Sequence, residues 1–387
     1  EDDDYENSSF ESVLDECAVF LDSKTLNWHY RSRHEDLIKF SNYYVYDNQL
    51  ITFPSPIAKS TNYGVDFEMI EGGYYEKGSR FNRKEAQRVA QAILEHYKTN
   101  PDISLGVIAF SEAQQFAIER ELAKAMRADM NLQDKMQEHM DEEMTDSLFI
   151  KNLENVQGDE RDVIFFSIGY ARDKKGNLSH NFGPLNREGG HRRLNVAVTR
   201  ARNKLKVFSS ITSADIDLSR TSAQGATLLK KYLAFAETCS GGLGQEDSES
   251  ADEVTDLVTE SQLLLLDQDP EKQYLGNPYS SKDYFGVEEA IARALEAEGY
   301  VVERFLGASD YKIDIAVRSR KNPDNYILAI ETDGKVYRNA KTCRDRERLR
   351  KQVLKSLTWN THKVWARDWI RNQEEEFIKL TNMLGNN

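Results

Sequence analysis

The chain has 387 residues, of which 39% are hydrophobic and 30% charged, and its formal net charge is -14. This length is sufficient for two or three domains with separate cores. The negative charge argues against a general basic coat for nucleic acid, so any such site must be a local basic patch. No apolar run approaches the ~20 residues of a membrane helix, and we expect no membrane partner.

The three cysteines lie far apart in the sequence, at Cys17, Cys239 and Cys343. No two of them stand at metal-ligand spacing, which argues against a zinc ribbon and favours a reducing, cytoplasmic setting. The chain starts at Glu1, without a methionine, in an acidic run. We therefore expect it to be part of a longer protein.

Helical and strand patterns alternate through residues 1–225. Leu37 and Phe40 fall at helical spacing, and Asn82 with Glu85 predicts a capping box at the start of the next helix. Short apolar runs predict strands at 105–110, 148–150, 163–167 and 205–209. This alternation predicts an α/β fold with a parallel sheet that carries helices on both faces.

Residues 192–202 read Arg-Arg-Leu-Asn-Val-Ala-Val-Thr-Arg-Ala-Arg. As a helix, this run would place Arg193 and Arg200 on one face, while Leu194 and Val198 would pack on the sheet. Such a helix holds positive charge rigidly toward a polyanion. The alternative is a surface helix with solvated arginines.

A polar loop with one glycine, residues 155–162, directly precedes the predicted strand at 163–167. Ligands of open α/β sheets bind at strand ends, although that rule concerns the carboxyl ends. An ordinary solvated turn is the alternative interpretation.

Three short blocks occur in this order: Tyr30-Arg31-Ser32, Val156-Gln157-Gly158-Asp159-Glu160, and Val196-Ala197-Val198-Thr199-Arg200-Ala201-Arg202. Together they resemble motifs IV, V and VI of superfamily 1 helicases, in the branch that includes the nonsense-mediated-decay helicase. The resemblance covers residues 10–215. It implies that residues 1–225 form the second RecA-like domain of a helicase.

The resemblance also implies an ATP site. Arg31 and Arg200 would be catalytic arginines that reach the γ-phosphate across a domain cleft, where a fixed guanidinium stabilises the charge of phosphoryl transfer. The implied nucleotide contacts of the second block are Gln157, Gly158 and Glu160.

The sequence contains no Gly-x-x-x-x-Gly-Lys-Ser/Thr loop and no Asp-Glu pair that follows an apolar strand as a magnesium-binding segment. We therefore expect an N-terminal helicase domain of the same protein as a partner, and no ATP hydrolysis by this chain alone.

Two segments show no core pattern. Residues 127–146 are charged and rich in methionine, and we interpret them as a helical surface insertion. Residues 226–282 include an acidic, serine-rich run and are interpreted as a flexible linker.

Residues 283–387 contain carboxylates on predicted strands. Asp314 lies in an alternating strand, and the apolar strand that follows ends in Glu331 and Asp333, which a period of two places on one face. Same-face carboxylates at the end of an apolar strand are costly unless a cation or donors lie beside them. The three could bind Mg²⁺ or Mn²⁺. The alternative is a solvated strand end with salt bridges to Lys312 or Lys335.

A helix predicted over residues 342–357 carries a basic stripe at spacing i, i+4, i+7 and i+11. Its members are Arg344, Arg348, Lys351 and Lys355. Leu349, Val353 and Leu357 would face inward. A basic stripe beside an acidic metal pocket suits a phosphodiester substrate. Solvated charge, with Glu347 pairing locally, is the alternative.

Four blocks carry a second resemblance: Ile313-Asp314, Glu331-x-Asp333-Gly334, Arg344-Asp345-Arg346-x-Arg348-Leu349 and Val364-Trp365-x-x-Asp368-Trp369. They are similar to very-short-patch-repair endonucleases of the PD-(D/E)xK superfamily, over residues 284–370. The resemblance implies catalytic and metal-binding roles for three carboxylates, Asp314, Glu331 and Asp333. Glu288 would be an auxiliary metal-binding acid.

Two positions depart from that family. The usual lysine, two residues after Glu331, is replaced by Asp333, and Lys335 is the expected substitute if the strand continues past Gly334. The family often has a histidine directly after the tyrosine that corresponds to Tyr337, and this chain has Arg338 at that position.

The two resemblances predict the C-terminal portion of an ATP-dependent DNA helicase fused to a metal-dependent DNA endonuclease. The nuclease resemblance favours DNA, and it suggests a role in DNA repair or antiviral defence. The alternatives are an inactive nuclease fold that only binds nucleic acid, and an RNA helicase.

Overall fold

The computed structural model describes residues 13–23, 25–57, 62–127, 136, 139–141, 146–240, 286–309, 311–338, 340 and 342–385, without the side chains of Asp15 and Lys335. Most of the predicted insertion, and the predicted linker from residue 241 onward, lie outside these ranges. Among the described residues, no helix is long and apolar enough to cross a membrane.

The first sheet has five strands, all parallel, in the order β1-β5-β4-β2-β3. The strands are β1 Gly64–Met69, β2 Leu105–Ala109, β3 Phe149–Asn152, β4 Arg161–Ser167 and β5 Ala201–Ser209. The four predicted strands are confirmed, and so is the parallel sheet. Strand β1 was not predicted. It is an edge strand in which Asp66 and Glu68 alternate with apolar residues and pair with lysines of β5.

Helices cover both faces of this sheet. The helices of the first domain are α1 Val13–Phe20, α2 Asp36–Tyr44, α3 Arg83–Thr99, α4 Glu112–Arg127, α5 Gly190–Val198 and α6 Gln224–Cys239. Buried residues of α2, α5 and α6 form one core with the sheet, and those of α3 and α4 form the other. Two apolar layers on a five-stranded sheet explain why β2 is buried along its whole length.

The arginine run, residues 192–202, was predicted as one helix, but the structure divides it between a helix and a strand. Helix α5 ends at Val198, and β5 begins at Ala201, where it pairs with Arg161 of β4. Only Thr199 and Arg200 connect the two elements, so Arg193 and Arg200 do not share a helix face. The strand pairing overrides the helical pattern of the last four residues.

The domain boundary near residue 226 and part of the predicted surface insertion also differ from the prediction. Helix α6 contributes Leu229, Tyr232 and Phe235 to the first core, so residues 226–239 belong to that domain and not to a linker. Within the predicted surface insertion, Met136 is fully buried and His139 stacks on Tyr97 at 4.2 Å between ring centroids. These two residues pack on the core.

The second domain has a smaller mixed sheet in the order β6-β7-β8-β9, in which only β8 and β9 are parallel. The strands are β6 Val302–Leu306, β7 Ile313–Arg318, β8 Tyr326–Thr332 and β9 Thr361–Val364. The helices are α7 Val287–Ala297, α8 Lys335–Arg338, α9 Arg350–Ser356, α10 Ala366–Arg371 and α11 Gln373–Gly385. Helices α7, α10 and α11 cover one face, and α9 packs on the other.

The predicted helix over 342–357 is divided. Residues Asp345–Leu349 form a π-helical turn, and α9 follows directly. A π turn adds a residue and rotates the buried face. As a result Arg350 and Leu354 are buried, whereas Leu349 and Val353 are only half-buried.

Candidate functional site

An arginine cluster lies at the amino ends of β4 and β5. Because neighbouring parallel strands begin at the same sheet edge, the residues that precede them come together. Arg31 Nε lies 2.6 Å from Glu160 Oε2, and Arg202 Nε donates to Glu160 Oε1 at 3.1 Å. The predicted nucleotide contact Glu160 is therefore held between two guanidinium groups.

Arg200 is anchored by the backbone of the same edge. Its Nε donates to Val196 O at 2.7 Å, and its Nη2 donates to the Thr199 hydroxyl at 3.2 Å. Arg31 Nη1 reaches Thr199 O at 3.4 Å. Burial, and then the charge of Arg31, lower the pKa of Arg200, although an arginine stays protonated in proteins. The structure thus brings Arg31 and Arg200 together at one edge of the sheet.

The remaining residues of the predicted nucleotide loop are exposed. Gly158 has φ +91°, a backbone conformation that favours glycine, and Gln157 points to solvent beside it. A cleft of about 550 Å³ next to the cluster is lined by Arg31 and Glu160, and by Leu357 of the second domain. Arg200 and Gln157 do not line it.

A carboxylate pocket lies where β7, β8 and α7 meet. Asp314 is 1% exposed, and its Oδ2 accepts from Thr332 N at 2.7 Å. The Thr332 hydroxyl lies 2.8 Å from Glu288 Oε1 and 3.2 Å from Asp314 Oδ2. A Cβ at Gly334 would overlap the Glu288 carboxylate, so a larger residue there would displace that side chain. The predicted residues Glu288 and Asp314 therefore share one hydroxyl.

The other oxygen of Asp314 has no hydrogen-bond partner although it is buried. Burial raises the pKa of Asp314 to about 7, with smaller contributions from the neighbouring Glu288 and Glu331 carboxylates. A buried, unpaired carboxylate oxygen is costly unless a proton or cation satisfies it. In the described part of the chain, no three His, Cys, Asp or Glu side chains are grouped closely enough to hold a metal. The oxygen donors and the unpaired Oδ1 nonetheless suit a hard divalent cation.

Glu331 is held by Arg350, a residue that was not predicted to belong to the site. The two side chains form an ion pair, and Arg350 Nε also donates to the Tyr311 hydroxyl at 2.8 Å. That hydroxyl lies 3.4 Å from Glu331 Oε1. A signal was present, because Arg350, Leu354 and Leu357 follow the spacing i, i+4 and i+7 of an inward face.

Asp333 does not share the environment of Glu331. Strand β8 ends at Thr332, so the predicted alternation does not reach Asp333. Its Oδ1 accepts from Ala366 N, the first residue of α10, at 2.7 Å. The substitute role of Lys335 would require the strand to continue past Gly334. It does not, because Lys335 begins α8. The side chain of Lys335 lies outside the described residues.

A different lysine lies beside the pocket. Lys363 of β9 is in register with Glu331 of β8. Its Nζ lies 3.6 Å from the centroid of the Tyr337 ring and 3.9 Å from that of Trp365, and 3.7 Å from Glu347 Oε1. Burial lowers the pKa of Lys363. No local sequence pattern predicts a role for Lys363, because the pairing of β8 with β9 is non-local.

The basic stripe faces solvent, which both the phosphate-binding interpretation and its alternative of solvated charge require. All four of its members, Arg344, Arg348, Lys351 and Lys355, are exposed. The local pairing considered as the alternative is present at one position, because Lys351 Nζ lies 3.9 Å from Glu347 Oε2.

Two family models match the chain, and they divide it as the two sheets do. A model described as an AAA domain, AAA_12, matches residues 5–212, and a model named REase_MTES_1575 matches residues 287–384. The AAA domain model thus covers more than half of the chain.

Similar proteins are found in mycoplasmas. The chain is 29% identical over 392 residues to a Mycoplasma genitalium protein named uncharacterized ATP-dependent helicase MG140, and 28% identical over 391 residues to its Mycoplasma pneumoniae homolog. Each match covers 99% of this chain and 32% of the relative. The chain therefore spans about a third of the length of these relatives.

The crystal structure of the C-terminal domain of a possible DNA helicase from Lactobacillus plantarum overlaps 46% of this chain and 86% of that domain, at 12% identity. The TM-score of this overlap is 0.26. Because the AAA domain model matches more than half of the chain, the chain belongs to the AAA domain family, with a helicase-like ATPase domain followed by a restriction-endonuclease-like domain.

Proposed function

We propose that this chain is the C-terminal part of an ATP-dependent DNA helicase or translocase joined to a metal-dependent DNA endonuclease. The observation that carries the proposal is the unpaired, buried Oδ1 of Asp314, in a pocket with Glu288 and Glu331. The helicase motifs favour the nonsense-mediated-decay-helicase branch for the first domain. The carboxylate motifs favour the very-short-patch-repair type for the second.

In the first domain, Arg31 and Arg200 would face an ATP molecule held by a preceding helicase domain of the longer protein. Both guanidinium groups are anchored to the backbone at Thr199 or Val196, so their charge is in place before the nucleotide arrives. Glu160 neutralises part of this charge in the meantime. An arginine that contacts the γ-phosphate in this way typically raises the kcat of phosphoryl transfer by a factor of about 10³ to 10⁵.

Steady-state ATP hydrolysis by a protein that contains this chain and a phosphate-binding domain tests the first half. Arg200→Ala should lower kcat by about 10³ or more. Arg193→Ala is the matched control, because Arg193 lies on the same run but donates to Glu188 O at the surface. Equal hydrolysis by both variants would refute the assignment of Arg200.

In the second domain, Asp314 would bind Mg²⁺ or Mn²⁺ through its unpaired Oδ1, and Glu331 and Glu288 would complete the site once the cation draws their carboxylates closer, with Asp333 close by in sequence. A bound divalent cation activates a water molecule and stabilises the leaving oxygen of a phosphodiester. Arg350 fixes one oxygen of Glu331, and the buried Oδ1 of Asp314 has no hydrogen-bond partner. Lys363 would supply the positive charge that the superfamily lysine supplies elsewhere, with Lys335 as the alternative.

The exposed basic stripe would bind the DNA backbone beside this pocket, since phosphate contacts from lysine and arginine position a protein on nucleic acid. A role in DNA repair or in defence against foreign DNA is consistent with such a combination, and it rests on the resemblance to repair and restriction endonucleases.

Cleavage of supercoiled plasmid DNA in Mg²⁺ or Mn²⁺ tests the second half. Asp314→Asn and Glu331→Gln should abolish cutting, whereas Asp324→Asn, an exposed carboxylate of the same domain, should not change it. DNA binding without any metal-dependent cleavage by the native chain would instead identify a binding module. Cleavage or binding that strongly prefers RNA would support the RNA helicase.

A further inference from the structure

The first domain reaches into the second through a docking segment, residues 51–57. Thr52 N donates to Ser309 Oγ at 3.0 Å, and the same hydroxyl donates back to Thr52 O at 2.9 Å. Trp359 Nε1 donates to Pro54 O at 2.8 Å. Tyr326 N donates to Pro56 O at 2.7 Å, which extends the pairing to the start of β8. The docking segment is thus bonded along its length to the nuclease-like domain.

At the centre of the docking segment, Phe53 enters the core of the second domain. It is 4% exposed, and its ring centroid lies 4.4 Å from that of Tyr311. The Tyr311 hydroxyl is bonded to Arg350 and lies beside Glu331. A single aromatic ring therefore separates the helicase-like domain from the carboxylate pocket.

The same segment is connected to the arginine cluster. His29 N donates to Ile51 O at 2.9 Å, and Ile51 N donates to Asn27 O at 2.7 Å. His29 stands two residues before Arg31. Burial, and then the charge of Arg31, lower the pKa of His29 to about 4. The backbone that carries the predicted ATP-contacting arginine thus also carries the docking segment.

Helix α9 makes a second connection between the two sites. Its first residue, Arg350, pairs with Glu331, and its last residue, Ser356, lines the cleft that contains Arg31. Seven helical residues span about 10 Å. The docking segment and α9 both join the arginine cluster to the carboxylate pocket, and each does so over a short distance.

We propose that Phe53 is a positioning residue, supplied by the helicase-like domain, for the metal site of the nuclease-like domain. Phe53 holds the Tyr311 ring, Tyr311 and Arg350 hold Glu331, and the metal site is fully formed only while the docking segment is in place. This inference rests on the proposed nuclease function. It goes further by making the carboxylate geometry depend on the neighbouring domain.

Residues that orient metal ligands from outside typically change metal affinity by about 10- to 100-fold when they are removed. Phe53→Ala leaves a cavity next to Tyr311 and frees its ring. Mn²⁺ affinity should therefore fall about tenfold, while Asp314, whose hydrogen-bond partner Thr332 ends β8, keeps its own hydrogen bonds. The rate of cleavage at saturating Mn²⁺ should recover toward that of the native chain, because Phe53 does not touch the substrate.

The test measures Mn²⁺ binding to the full chain by electron paramagnetic resonance of the free ion. Native chain, Phe53→Ala and Asp314→Ala are compared with Trp359→Phe, which removes a hydrogen bond of the same docking segment without touching Tyr311. Phe53→Ala should weaken binding about tenfold, and Trp359→Phe should not change it. If Phe53→Ala does not fold, Tyr311→Phe, which removes only the hydroxyl beside Glu331, should weaken binding in the same direction.

The outcomes separate this inference from the proposed function. Loss of binding in Asp314→Ala, with native affinity in Phe53→Ala or in its substitute Tyr311→Phe, overturns the positioning role and leaves the metal site standing. Equal weakening by Phe53→Ala and Trp359→Phe also overturns it, because docking in general would then explain the effect. Mn²⁺ binding that does not depend on Asp314 overturns the metal site, and the positioning role with it.

Discussion

Glu331 and Arg350 form an ion pair in which both side chains are almost fully buried, at 7% and 5% exposed. The pair lies where the resemblance to endonucleases implies a metal-binding glutamate. A buried pair of this kind adds little net stability, because desolvation of both charges offsets their attraction, but the loss of one partner leaves an uncompensated charge. The geometry is therefore explained better as a way to orient Glu331 than as a source of stability.

Arg350→Met should lower the free energy of unfolding by about 3–5 kcal/mol, because it leaves Glu331 buried and unpaired. Adding Glu331→Gln should restore part of the loss, since the remaining group is then neutral. Urea denaturation measures both. Lys351→Met, at the next and exposed position, is the control and should change stability by no more than about 0.5 kcal/mol. A loss in Arg350→Met no greater than in the control would contradict the ion pair.

Glu85 should make stability depend on pH. It is 0% exposed, and burial raises its pKa from 4.5 to about 7, against hydrogen bonds from Ser167 and Gly169. Because the folded chain holds this proton more tightly, the contribution of Glu85 to stability is greatest below pH 4.5, falls as the pH rises to about 7, and is constant above. A pKa shift of this size corresponds to about 3 kcal/mol in the free energy of unfolding.

Denaturation from pH 4.5 to 8 measures this effect by comparison with Glu85→Gln, which cannot ionise. The native chain should lose up to about 3 kcal/mol relative to the variant over that range. Glu112→Gln, at an exposed position of α4, should show no such trend. Parallel pH profiles of the native chain and Glu85→Gln would show that Glu85 ionises normally.

Lys363 should matter for the chemical step of DNA cleavage. Its removal in Lys363→Met should lower kcat by about 10² while KM changes little, because a fixed charge beside the reacting phosphate acts mainly in the transition state. Lys355→Met, in the basic stripe, should instead raise KM. Single-turnover and steady-state measurements separate the two effects. A raised KM with an unchanged kcat in Lys363→Met would place Lys363 among the binding residues.

The basic stripe should account for part of the salt dependence of DNA binding. Each phosphate contact contributes about 0.9 to the slope of log K against log salt for duplex DNA. Lys351→Ala combined with Lys355→Ala should therefore reduce the slope by about 1.8. Lys98→Ala combined with Lys124→Ala, on α3 and α4 of the first domain, should leave the slope unchanged. A slope that is insensitive to the stripe variants would assign DNA binding to another surface.

Much of the fold could be predicted from local patterns, because periodicity identifies elements whose apolar faces meet the core. The strands near Leu105, Val163 and Leu205 and the helices near Leu37 and Val89 are of this kind. The capping box was right only in part: the Asn82 side chain does accept from Glu85 N, but the Glu85 carboxylate binds the ends of β4 and β5 instead of closing the box.

The remaining differences arise from contacts between residues far apart in the chain. Helix α5 ends early because β5 pairs with β4 from Ala201 onward. Arg350 turns inward because a π turn precedes it, and Phe53 is buried by a domain more than 250 residues later in the sequence. Asp314 was predicted from its type and position in a strand, and Glu288 from the resemblance to endonucleases. Tyr311, Arg350 and Lys363 depend on packing that no local pattern records.

The most direct test of the central claim is an anomalous difference map from crystals of the chain grown with Mn²⁺. We expect a peak within about 2.5 Å of Asp314 Oδ1, on the side of Glu331, and its disappearance in Asp314→Ala crystals. A well-ordered pocket without a peak, with Asp314 Oδ1 still unpaired at saturating Mn²⁺, would contradict the account.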